Sequence, residues 1–392
     1  MNYQSFQNSP AGRLSKTIQG YYAFIPNPLP PVLNWNESLV NSLSEADRAV
    51  GKLAGLSRDL PNPHLLIIPF MHSEAVFSSR IEGTQATISD VYKYETGQLS
   101  LFKDDKDISD VKEVHNYVLA LDYGLKRLKE LPLSLRLLRE LHKILLEGVR
   151  GGESRPGEFR QVQNWIGPEG CSLEEALYVP PSVDEMNEAL ASLEKYLNRK
   201  DNLPPLIRVG LVHYQFEAIH PFIDGNGRIG RLLIILLLCA WDILPQPLLY
   251  LSPYFESNRQ AYYDLLLEVS ERGAWEEWLN FFLTAVKIQA DDAILRINEM
   301  MELKEDYRAK MQSKRGSPGL FKAIDFLFEK PVFSANQLAK ELGTNFARAQ
   351  RYISSLKQAG IIREITGMSR NRIYAAEEII WAIGSPLKLK EN

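Results

Sequence analysis

The stretch from His220 to Arg231, HPFIDGNGRIGR, holds more groups capable of chemistry than any other part of the sequence. His220 carries the only side chain of the stretch that ionises near neutral pH, which makes it the candidate for proton transfer. Asp224 supplies a carboxylate of the kind that holds Mg²⁺ against phosphate oxygens. Arg228 and Arg231 carry guanidinium groups, which bind phosphate in a bidentate manner. Together these residues predict a site for a polyphosphate.

The backbone around these side chains also suits an anion. Residues 204–219 have the pattern of a helix, and Pro221 pushes His220 out of the helical region, so the imidazole is predicted at the corner between a helix and a loop. The Gly-Asn-Gly turn at 225–227 tolerates positive φ and can aim backbone N–H groups at a bound anion. An apolar helix then begins with both arginines in its first turn, where the helix dipole disfavours cations. A bound polyphosphate would offset that cost.

The twelve residues match, position by position, the HPFx[D/E]GNGRxxR signature of the Fic (filamentation induced by cAMP) family. This resemblance implies a protein adenylyltransferase, which transfers AMP from ATP to a Ser, Thr or Tyr hydroxyl of a target protein, with automodification as one outcome. It implies that His220 is the catalytic base and that Asp224 holds Mg²⁺. The phosphate-binding residues implied in the same way are Gly225, Asn226, Gly227, Arg228, Ile229, Gly230 and Arg231.

A second unusual charge lies at the end of a helix predicted over residues 64–83. Ser78 and Glu82 are four residues apart and share one helix face. Glu82 is the last residue before Gly83, a predicted C-cap, where the helix dipole disfavours an anion. The sequence SSRIEG resembles the [S/T]xxxE[G/N] inhibitory motif of the Fic family. That resemblance implies that Glu82 pairs with Arg231 and blocks productive placement of the ATP γ-phosphate. A solvated surface glutamate is the plain alternative.

Two further regions acquire roles through the resemblance. Residues 158–167 and 176–179 have the composition of a β-hairpin. In Fic proteins such a hairpin is a flap that pairs with the target by strand addition, whereas an ordinary edge hairpin is the alternative. The predicted docking residues are Gln163, Asn164, Trp165, Ile166 and Gly167. A helix from residue 258 resembles the wall of the family's adenine pocket, so Tyr262 and Tyr263 contact adenine or pack in the core.

A metal site is a rival interpretation of the helix that leads to the signature. His213, Glu217 and His220 lie on one helical face and could ligate a transition metal. Such a site would leave both arginines of the signature unexplained. His115 and His142 fall in predicted amphipathic helices and are expected to be packing or surface residues rather than ligands.

The C-terminal segment is predicted to be a winged helix-turn-helix, because a helix, a short Gly turn, a second helix and a hairpin follow one another. Residues 313–374 contain eleven Lys and Arg against four Asp and Glu, a net charge of +7, whereas the whole chain carries −4. This suits contact with DNA phosphates and some base readout. The predicted contacts are Arg348, Arg351, Lys357, Arg370 and Arg372. A module for protein docking or dimerisation is an equal alternative.

Length and composition predict an ordinary soluble globular protein of 392 residues with several domains. The predicted fold class is mainly α: a Fic-fold helical core with a β-hairpin flap, followed by a C-terminal α+β winged helix-turn-helix. The predicted boundaries are an N-terminal helical region at 1–105, a Fic core at 106–290, a linker helix at 291–312 and the winged helix at 313–392. The linker helix is alternatively the interface of a homodimer.

The sequence also bears on the compartment. The N-terminus lacks the basic and apolar pattern of a secretory signal, and the longest apolar run, 232–241, is too short to span a bilayer. Cys171 and Cys239 form neither a disulfide framework nor a CxxC metal motif. We therefore expect a cytoplasmic protein without a membrane partner.

Three other functions stay open at this stage. Glu82 could serve as the base for water in a de-adenylylating Fic enzyme. The enzyme could transfer a different phosphate-containing group. In a different class of protein, the chain would be a DNA-binding regulator whose Fic core senses a nucleotide.

Overall fold

A computed structural model gives the structure of the chain. The residues that it describes are 1–17, 19–60, 62–98, 105–149, 155–168, 170–312 and 317–384. The structure is mainly helical, which confirms the predicted fold class.

The helices and strands are listed here in chain order. The helices are α1 (Tyr3–Phe6), α2 (Glu37–Asp59), α3 (His64–Ile81), α4 (Ile88–Glu95), α5 (Asp105–Arg127), α6 (Leu135–Leu145), α7 (Val183–Asn198), α8 (Pro205–Ile219), α9 (Asn226–Ala240), α10 (Ser252–Ser257), α11 (Arg259–Arg272), α12 (Trp275–Gln312), α13 (Pro318–Glu329), α14 (Ala335–Glu341), α15 (Phe346–Gln358) and α16 (Glu377–Gly384). The strands are β1 (Gly12–Lys16), β2 (Tyr22–Pro26), β3 (Val332–Ser334), β4 (Arg363–Glu364) and β5 (Ile373–Ala375).

The chain divides into two compact units. One comprises residues 1–54 and 119–290, and the other comprises residues 55–118 and 291–392. This division differs from the predicted boundaries, since residues 55–105 group with the C-terminal part of the chain rather than with an N-terminal region.

The first unit is built on α8 and α9, which pack against each other and deliver the 220–231 stretch. Both helices are apolar on nearly all sides and are buried accordingly. A Cβ on Gly210 of α8 would lie 3.0 Å from Leu279, so the missing side chain is what lets α8 approach α12 closely. Trp278 fixes this contact by donating its indole N–H to the Gly210 carbonyl at 3.0 Å.

Two elements near the N-terminus of the chain were not predicted. The crowded prolines among residues 1–35 predict irregular structure, but β1 and β2 pair antiparallel with Gly12 opposite Pro26 and Lys16 opposite Tyr22. The polar and acidic composition of residues 84–107 predicts a loop, but this segment contains α4. The first turn of α4 is held by a capping box: Thr87 accepts the Asp90 N–H, and the Asp90 carboxylate accepts the Thr87 N–H.

The second unit contains α3, which packs against α13, α16 and α4. Arg296 of α12 ties the end of α16 into this unit. Its Nε–H is shared between the two carboxylate oxygens of Asp292 at 3.0 and 2.8 Å, and its Nη1 donates to the carbonyls of Ala382 and Ile383 at 2.8 and 2.9 Å. Both carboxylate and carbonyl partners satisfy this partly buried cation.

The C-terminal elements follow the order α13, β3, α14, α15, β4, β5, α16, and the sheet has the order β3-β5-β4. Ser334 begins α14 with the predicted N-cap, accepting the Gln337 N–H at 3.3 Å. Gly343 takes a φ of +55° between the two helices, where the turn requires it. This arrangement is compatible with a winged helix-turn-helix.

Among the residues that the structure describes, no helix is long and apolar enough to cross a membrane. Cys171 and Cys239 are both free thiols.

Candidate active site

His220 occupies the predicted corner between helix and loop. It is the C-cap of α8 and adopts the left-handed conformation, with φ 48° and ψ 61°. Its N–H donates to the Phe216 carbonyl at 3.0 Å, and its Nδ1 lies 3.2 Å from the Glu217 carbonyl oxygen. A carbonyl can only accept, so Nδ1 carries the proton of this hydrogen bond. The neutral imidazole therefore has its lone pair on Nε2.

A left-handed conformation costs a residue other than glycine roughly 1–2 kcal/mol, so the surroundings must hold His220 in place. Arg160 donates from Nε to the His220 carbonyl at 3.0 Å and from its backbone N–H to the Pro221 carbonyl at 2.9 Å. Asn164 donates from Nδ2 to the carbonyls of His220 and Phe222 at 3.2 and 2.8 Å. Two side chains thus fix the backbone on which the imidazole sits.

Arg160 was not among the residues predicted from the sequence. Its side chain is 2% exposed, and desolvation by burial lowers the pKa of its guanidinium to about 10, which still leaves it charged at neutral pH. Its hydrogen-bond partners are backbone carbonyls, including those of Val162 and Pro181. A buried cation that donates to several carbonyls stabilises the loop to which they belong. The only sequence signal for Arg160 was a lone arginine in a segment of β-strand composition.

Asn226 closes the loop from the other side. Its Oδ1 accepts the Phe222 N–H, and its Nδ2 donates to the Phe222 carbonyl, each at 2.8 Å. The side chain is therefore a structural clamp, and only the backbone N–H of Asn226 can serve the predicted anion site. Gly225 precedes it as N-cap of α9 with a φ of 79°. By helix geometry the N–H groups of the first turn of α9 point out of the helix end, where an anion is favoured.

His142 supports the same loop from α6. Its ring stacks on Phe222, with the centroids 3.8 Å apart and the planes 8° from parallel. Its Nδ1 accepts the Gly157 N–H at 2.9 Å, so Nε2 carries the proton and donates to the Asp224 carbonyl at 3.0 Å. Burial lowers the pKa of His142 to about 4. The predicted packing residue is thus a neutral histidine that uses both ring nitrogens.

We expect replacement of His142 to weaken the acid sensitivity of the fold. Because the folded-state pKa is depressed, the unfolded chain binds the proton first, so the contribution of the neutral ring is complete above pH 6.5 and is lost as the pH falls toward about 4. Each pH unit in this window costs about 1.4 kcal/mol of unfolding free energy. Urea unfolding of wild type and His142→Gln at pH 7 and pH 5 measures the difference. Equal pH dependence in both proteins would show that His142 does not titrate this way.

The charged residues of the signature surround the start of α9. Asp224 Oδ1 accepts the Gly225 N–H at 2.5 Å and lies 3.4 Å from Arg228 Nη2. The Asp224 side chain is 43% exposed, whereas Arg228 and Arg231 are 3% and 2% exposed. Arg228 is thus buried in the first turn of α9, whereas Arg231, the sixth residue of the helix, is buried in the second turn rather than in the first as predicted. Two buried guanidinium groups near a helix N-terminus are an arrangement that an anionic ligand would favour.

Two residues predicted to bind phosphate, Ile229 and Gly230, have packing roles in the structure. Ile229 is fully buried, and its N–H donates to the Gly225 carbonyl at 3.0 Å, so neither its side chain nor its N–H is available to a phosphate. A Cβ on Gly230 would lie 2.1 Å from Glu217 Oε1. This glycine allows α9 to pack closely on α8, and contact with phosphate is not needed to explain it.

The predicted contact of Tyr262 with adenine does not fit its surroundings. His213 donates from Nδ1 to the Gly230 carbonyl at 3.1 Å, so its Nε2 accepts the Tyr262 hydroxyl at 2.8 Å. Tyr262 is 1% exposed, and burial lowers the pKa of His213 to about 3. Tyr262 is thus a core residue, whereas Tyr263 is 38% exposed and retains its predicted role as a candidate.

The rival metal site is not supported. Both ring nitrogens of His213 are engaged in hydrogen bonds, one with a carbonyl and one with a hydroxyl. Within the described part of the chain, no group of three or more His, Cys, Asp and Glu side chains could hold a metal ion.

The predicted hairpin is reduced to a single bridge between Ile166 and Tyr178. The Ile166 N–H donates to the Tyr178 carbonyl at 2.9 Å, and its carbonyl accepts the Leu177 and Tyr178 N–H groups. Pro168 and Pro180 flank the bridge and have no N–H to continue a ladder, which is why a regular hairpin does not form.

The five predicted docking residues differ in their contacts and in their exposure. Gln163 donates to the Asn164 and Pro180 carbonyls, both at 2.9 Å, and Asn164 holds the signature loop, so both belong to the scaffold. Trp165 and Ile166 are exposed, and Gly167 is exposed beside them. The exposed apolar side chains of this segment also include Val162 and Leu177.

The SSRIEG segment belongs to the second unit. Helix α3 ends at Ile81, and Glu82 is its C-cap, one residue before the predicted C-cap Gly83. Gly83 has a φ of +98°, and the Thr84 N–H returns to the Ser79 carbonyl at 3.2 Å. Ser78 is fully buried, whereas Glu82 is exposed.

Comparison with known families identifies the class of protein. Residues 40–126 match the model described as Fic/DOC family N-terminal, and residues 132–238 match the model described as Fic/DOC family. Both segments therefore match models of the Fic/DOC family, which confirms the resemblance seen in the signature.

Two curated relatives carry the name protein adenylyltransferase Fic. The protein from Drosophila grimshawi is 32% identical over 165 residues, which cover 40% of this chain and 31% of that protein. The protein from Drosophila mojavensis is 26% identical over 259 residues, which cover 62% of this chain and 47% of that protein. The chain thus matches less than half the length of these relatives.

Solved structures agree on the fold. A Fic family protein from Desulfovibrio desulfuricans G20 superposes with a TM-score of 0.58 at 20% identity, covering 89% of this chain and 98% of that one. A Fic domain containing signaling protein from Bacteroides thetaiotaomicron gives a TM-score of 0.51 at 20% identity, covering 64% of this chain and 95% of that one.

Proposed function

We propose that the protein is a protein adenylyltransferase that transfers AMP from ATP to a Ser, Thr or Tyr hydroxyl of a target protein. The observation that carries the proposal is the 3.2 Å contact between His220 Nδ1 and the Glu217 carbonyl oxygen, which places the proton of the neutral imidazole on Nδ1 and its lone pair on Nε2, the proposed base. This base lies in the loop that leads directly into the N-terminus of α9 and its two buried arginines. The names of the curated relatives support the same reaction.

In the proposed reaction Nε2 of His220 accepts the proton of the target hydroxyl. The hydroxyl oxygen forms a bond to the α-phosphorus of ATP, and the bond from that phosphorus to the bridging oxygen of the β-phosphate breaks. Diphosphate leaves, and AMP stays on the target as a phosphodiester. The N–H groups at the start of α9, together with Arg228 and Arg231, would stabilise the phosphates in this step.

The residues present fit a magnesium ion brought with ATP. Asp224 offers a half-exposed carboxylate beside the start of α9, and within the described residues its Oδ2 makes no hydrogen bond or ion pair. Carboxylate oxygens are the ligands that Mg²⁺ prefers. When bound, the ion would neutralise charge on the phosphates.

Replacing Asp224 is expected to weaken nucleotide binding only when Mg²⁺ is present. For Asp224→Ala we expect the Mg²⁺-dependent gain in ATP affinity to be lost, because the carboxylate that holds the ion is gone. Calorimetric titration with ATP, with and without MgCl₂, measures this gain. Glu188→Ala, which removes an exposed carboxylate from α7, is the control and should behave as wild type. A full Mg²⁺ effect in Asp224→Ala would reject the assignment.

Glu82 is proposed to inhibit this activity through Arg231, with Ser78 and Gly83 forming the rest of the inhibitory motif. The support is the position of Glu82 at the C-cap of α3, where the helix dipole disfavours an anion, and the burial of the Arg231 guanidinium in the second turn of α9. A carboxylate placed against a buried guanidinium would stabilise it.

The exposed apolar residues of the 162–177 segment are proposed to receive the target. Ile166 forms the isolated bridge with Tyr178, and Trp165 precedes it; the side chains of both residues are exposed, so an extended peptide could pair with the backbone next to the bridge and contact them. The side chains of Gln163 and Asn164 would serve by holding this segment on the signature loop.

The test uses the Glu82→Gly protein with ATP labelled at either the α- or the γ-phosphate, followed by mass spectrometry of the protein. Label retained from the α position alone, with AMP located on a hydroxyl side chain, is the expected result. Label from the γ position would indicate transfer of a different group. Absence of label in Glu82→Gly, combined with release of AMP from a previously modified protein by wild type but not by Glu82→Gly, would favour the de-adenylylating alternative, with Glu82 as the base for water.

A further inference from the structure

The surface formed by α15 and the wing, residues 363–375, carries a concentration of positive charge that the active site does not use. We call the side chains of Arg348, Arg351, Lys357, Arg370 and Arg372 the basic face. All five are exposed, and α15 contains no Asp or Glu. In the part of the chain that the structure describes, Arg348, Arg351, Lys357 and Arg370 make no ion pair.

One carboxylate inside the wing acts on the basic face. Glu364 accepts the N–H groups of Thr366 and Gly367 at 2.7 and 2.9 Å, and it also interacts electrostatically with Arg372, whose charge is therefore partly compensated. Asp325 of α13 pairs with Lys304 at 2.8 Å and Arg308 at 3.2 Å, which are not part of the basic face. The other four cations of the basic face are therefore available to an outside partner.

The distribution of residues around α15 suits a groove. Ala349, Ile353 and Leu356 are buried and fix the inward side of the helix. Arg348 and Lys357 are nine residues apart, which places them about 180° from each other at the two edges of the outward side. Between these edges lie Arg351, Ser354 and Gln358, which carry hydrogen-bonding groups.

The wing continues this surface. A cavity of about 560 Å³ lies between the start of α14, α15 and the wing, and no acidic residue is among the described residues that line it. Its polar lining includes Asn336, Gln350, Arg370, Asn371 and Arg372. Arg372 donates from Nε to the Met368 carbonyl at 2.9 Å, which shapes the wing from within.

We propose that the basic face binds double-stranded DNA, with α15 in the major groove and the wing against the phosphate backbone. A groove about 12 Å wide admits a helix, and the edge positions of Arg348 and Lys357 fit phosphates on its two sides. Arg351 then faces base edges, where an arginine reads guanine. A protein partner is less suited to this surface, because its exposed large apolar side chains, Phe346 and Met368, lie outside the strip of α15 between Arg348 and Lys357 that faces outward.

Phosphate contacts and base contacts predict different effects of substitution on DNA binding. Loss of a phosphate contact weakens binding to all sequences and lowers the salt dependence, whereas loss of a base contact weakens mainly the preferred sequence. We therefore expect Arg348→Ala and Lys357→Ala each to lower the slope of log affinity against log salt by about one. Arg351→Ala should lower affinity for the preferred sequence roughly 5- to 150-fold and relax its sequence preference.

The experiment uses the full-length protein. The preferred sequence is first selected from a random pool of duplex DNA, and binding is then followed by fluorescence anisotropy at several salt concentrations. Lys195→Ala, which removes an exposed cation from α7 in the first unit, is the matched control. Binding should also survive in His220→Ala, which separates this proposal from the proposed enzymatic function.

Three results would overturn the proposal. The first is absence of duplex DNA binding at roughly 50 mM salt, where non-specific electrostatic binding is strong. The second is a DNA affinity that stays at the level of the Lys195→Ala control in Arg348→Ala, Arg351→Ala and Lys357→Ala alike, because the contact with DNA would then lie elsewhere. The third is equal competition by single-stranded RNA, which has no major groove for α15.

Discussion

Replacing His220 with alanine is expected to lower the rate of AMP transfer roughly 10²- to 10⁴-fold, the usual contribution of a general base. Affinity for ATP should change little, because the proposed phosphate contacts come from α9 and not from the imidazole. The loss should appear in the rate constant of transfer measured with α-labelled ATP at saturating concentration.

Alanine alone would leave one ambiguity, since His220 sits in a left-handed conformation that alanine tolerates poorly. Asparagine adopts this conformation more readily and cannot act as a base near neutral pH. His220→Asn is therefore the decisive variant. Equal losses in both variants would support the missing base, whereas activity recovered in His220→Asn would mean that His220 serves the backbone and that the base lies elsewhere.

Local sequence signals predicted the parts of the structure that depend on neighbours in the chain. Pro221 and the Gly-Asn-Gly turn gave the corner and the start of α9, and Gly83 gave the end of α3. The missed helix α4 is instructive, because the Thr87-x-x-Asp90 capping box was present in a segment whose polarity favoured a loop. Capping chemistry outweighed composition there.

The residues that hold the active-site loop in place could not be predicted from the spacing of residues in the sequence. Arg160 and Asn164 reach the His220 carbonyl across 60 and 56 residues of sequence, and His142 reaches the Asp224 carbonyl across 82. Each is an ordinary residue in its own segment and acquires its role only through the fold. The same holds for Tyr262, whose hydroxyl meets His213 across 49 residues.

These supports explain how a strained histidine can be part of a stable structure. The carbonyl of His220 accepts two hydrogen bonds, from Arg160 and Asn164. Two residues further on, the ring of Phe222 stacks on His142, and the backbone N–H and carbonyl of Phe222 bind the side-chain amide of Asn226. The cost of the left-handed residue is distributed over several hydrogen bonds, each of which contributes about 1 kcal/mol. A local energetic irregularity of this kind is typical of a functional site.

Replacing Glu82 with glycine is expected to raise automodification roughly 5- to 150-fold. If Glu82 holds Arg231 in an unproductive state, removing its carboxylate releases a coupling energy of about 1–3 kcal/mol, which corresponds to that factor. The effect should be visible as label from α-labelled ATP retained on the protein, compared with wild type at equal concentrations. The double variant Glu82→Gly, His220→Asn should return the label to background, because relief of inhibition cannot replace the base.

Two further variants separate charge from backbone. Glu82→Gln keeps the size of the side chain and removes its charge, so activation in this variant would attribute inhibition to the carboxylate. Gln85→Gly introduces a glycine three residues further on, at an exposed position beyond the end of α3, and should leave the activity at the wild-type level. Activation by Gln85→Gly would point to loosening of the segment after α3. Unchanged automodification in both Glu82 variants would remove the inhibitory role of Glu82, and the dipole-disfavoured carboxylate at the C-cap would then be a solvated surface charge.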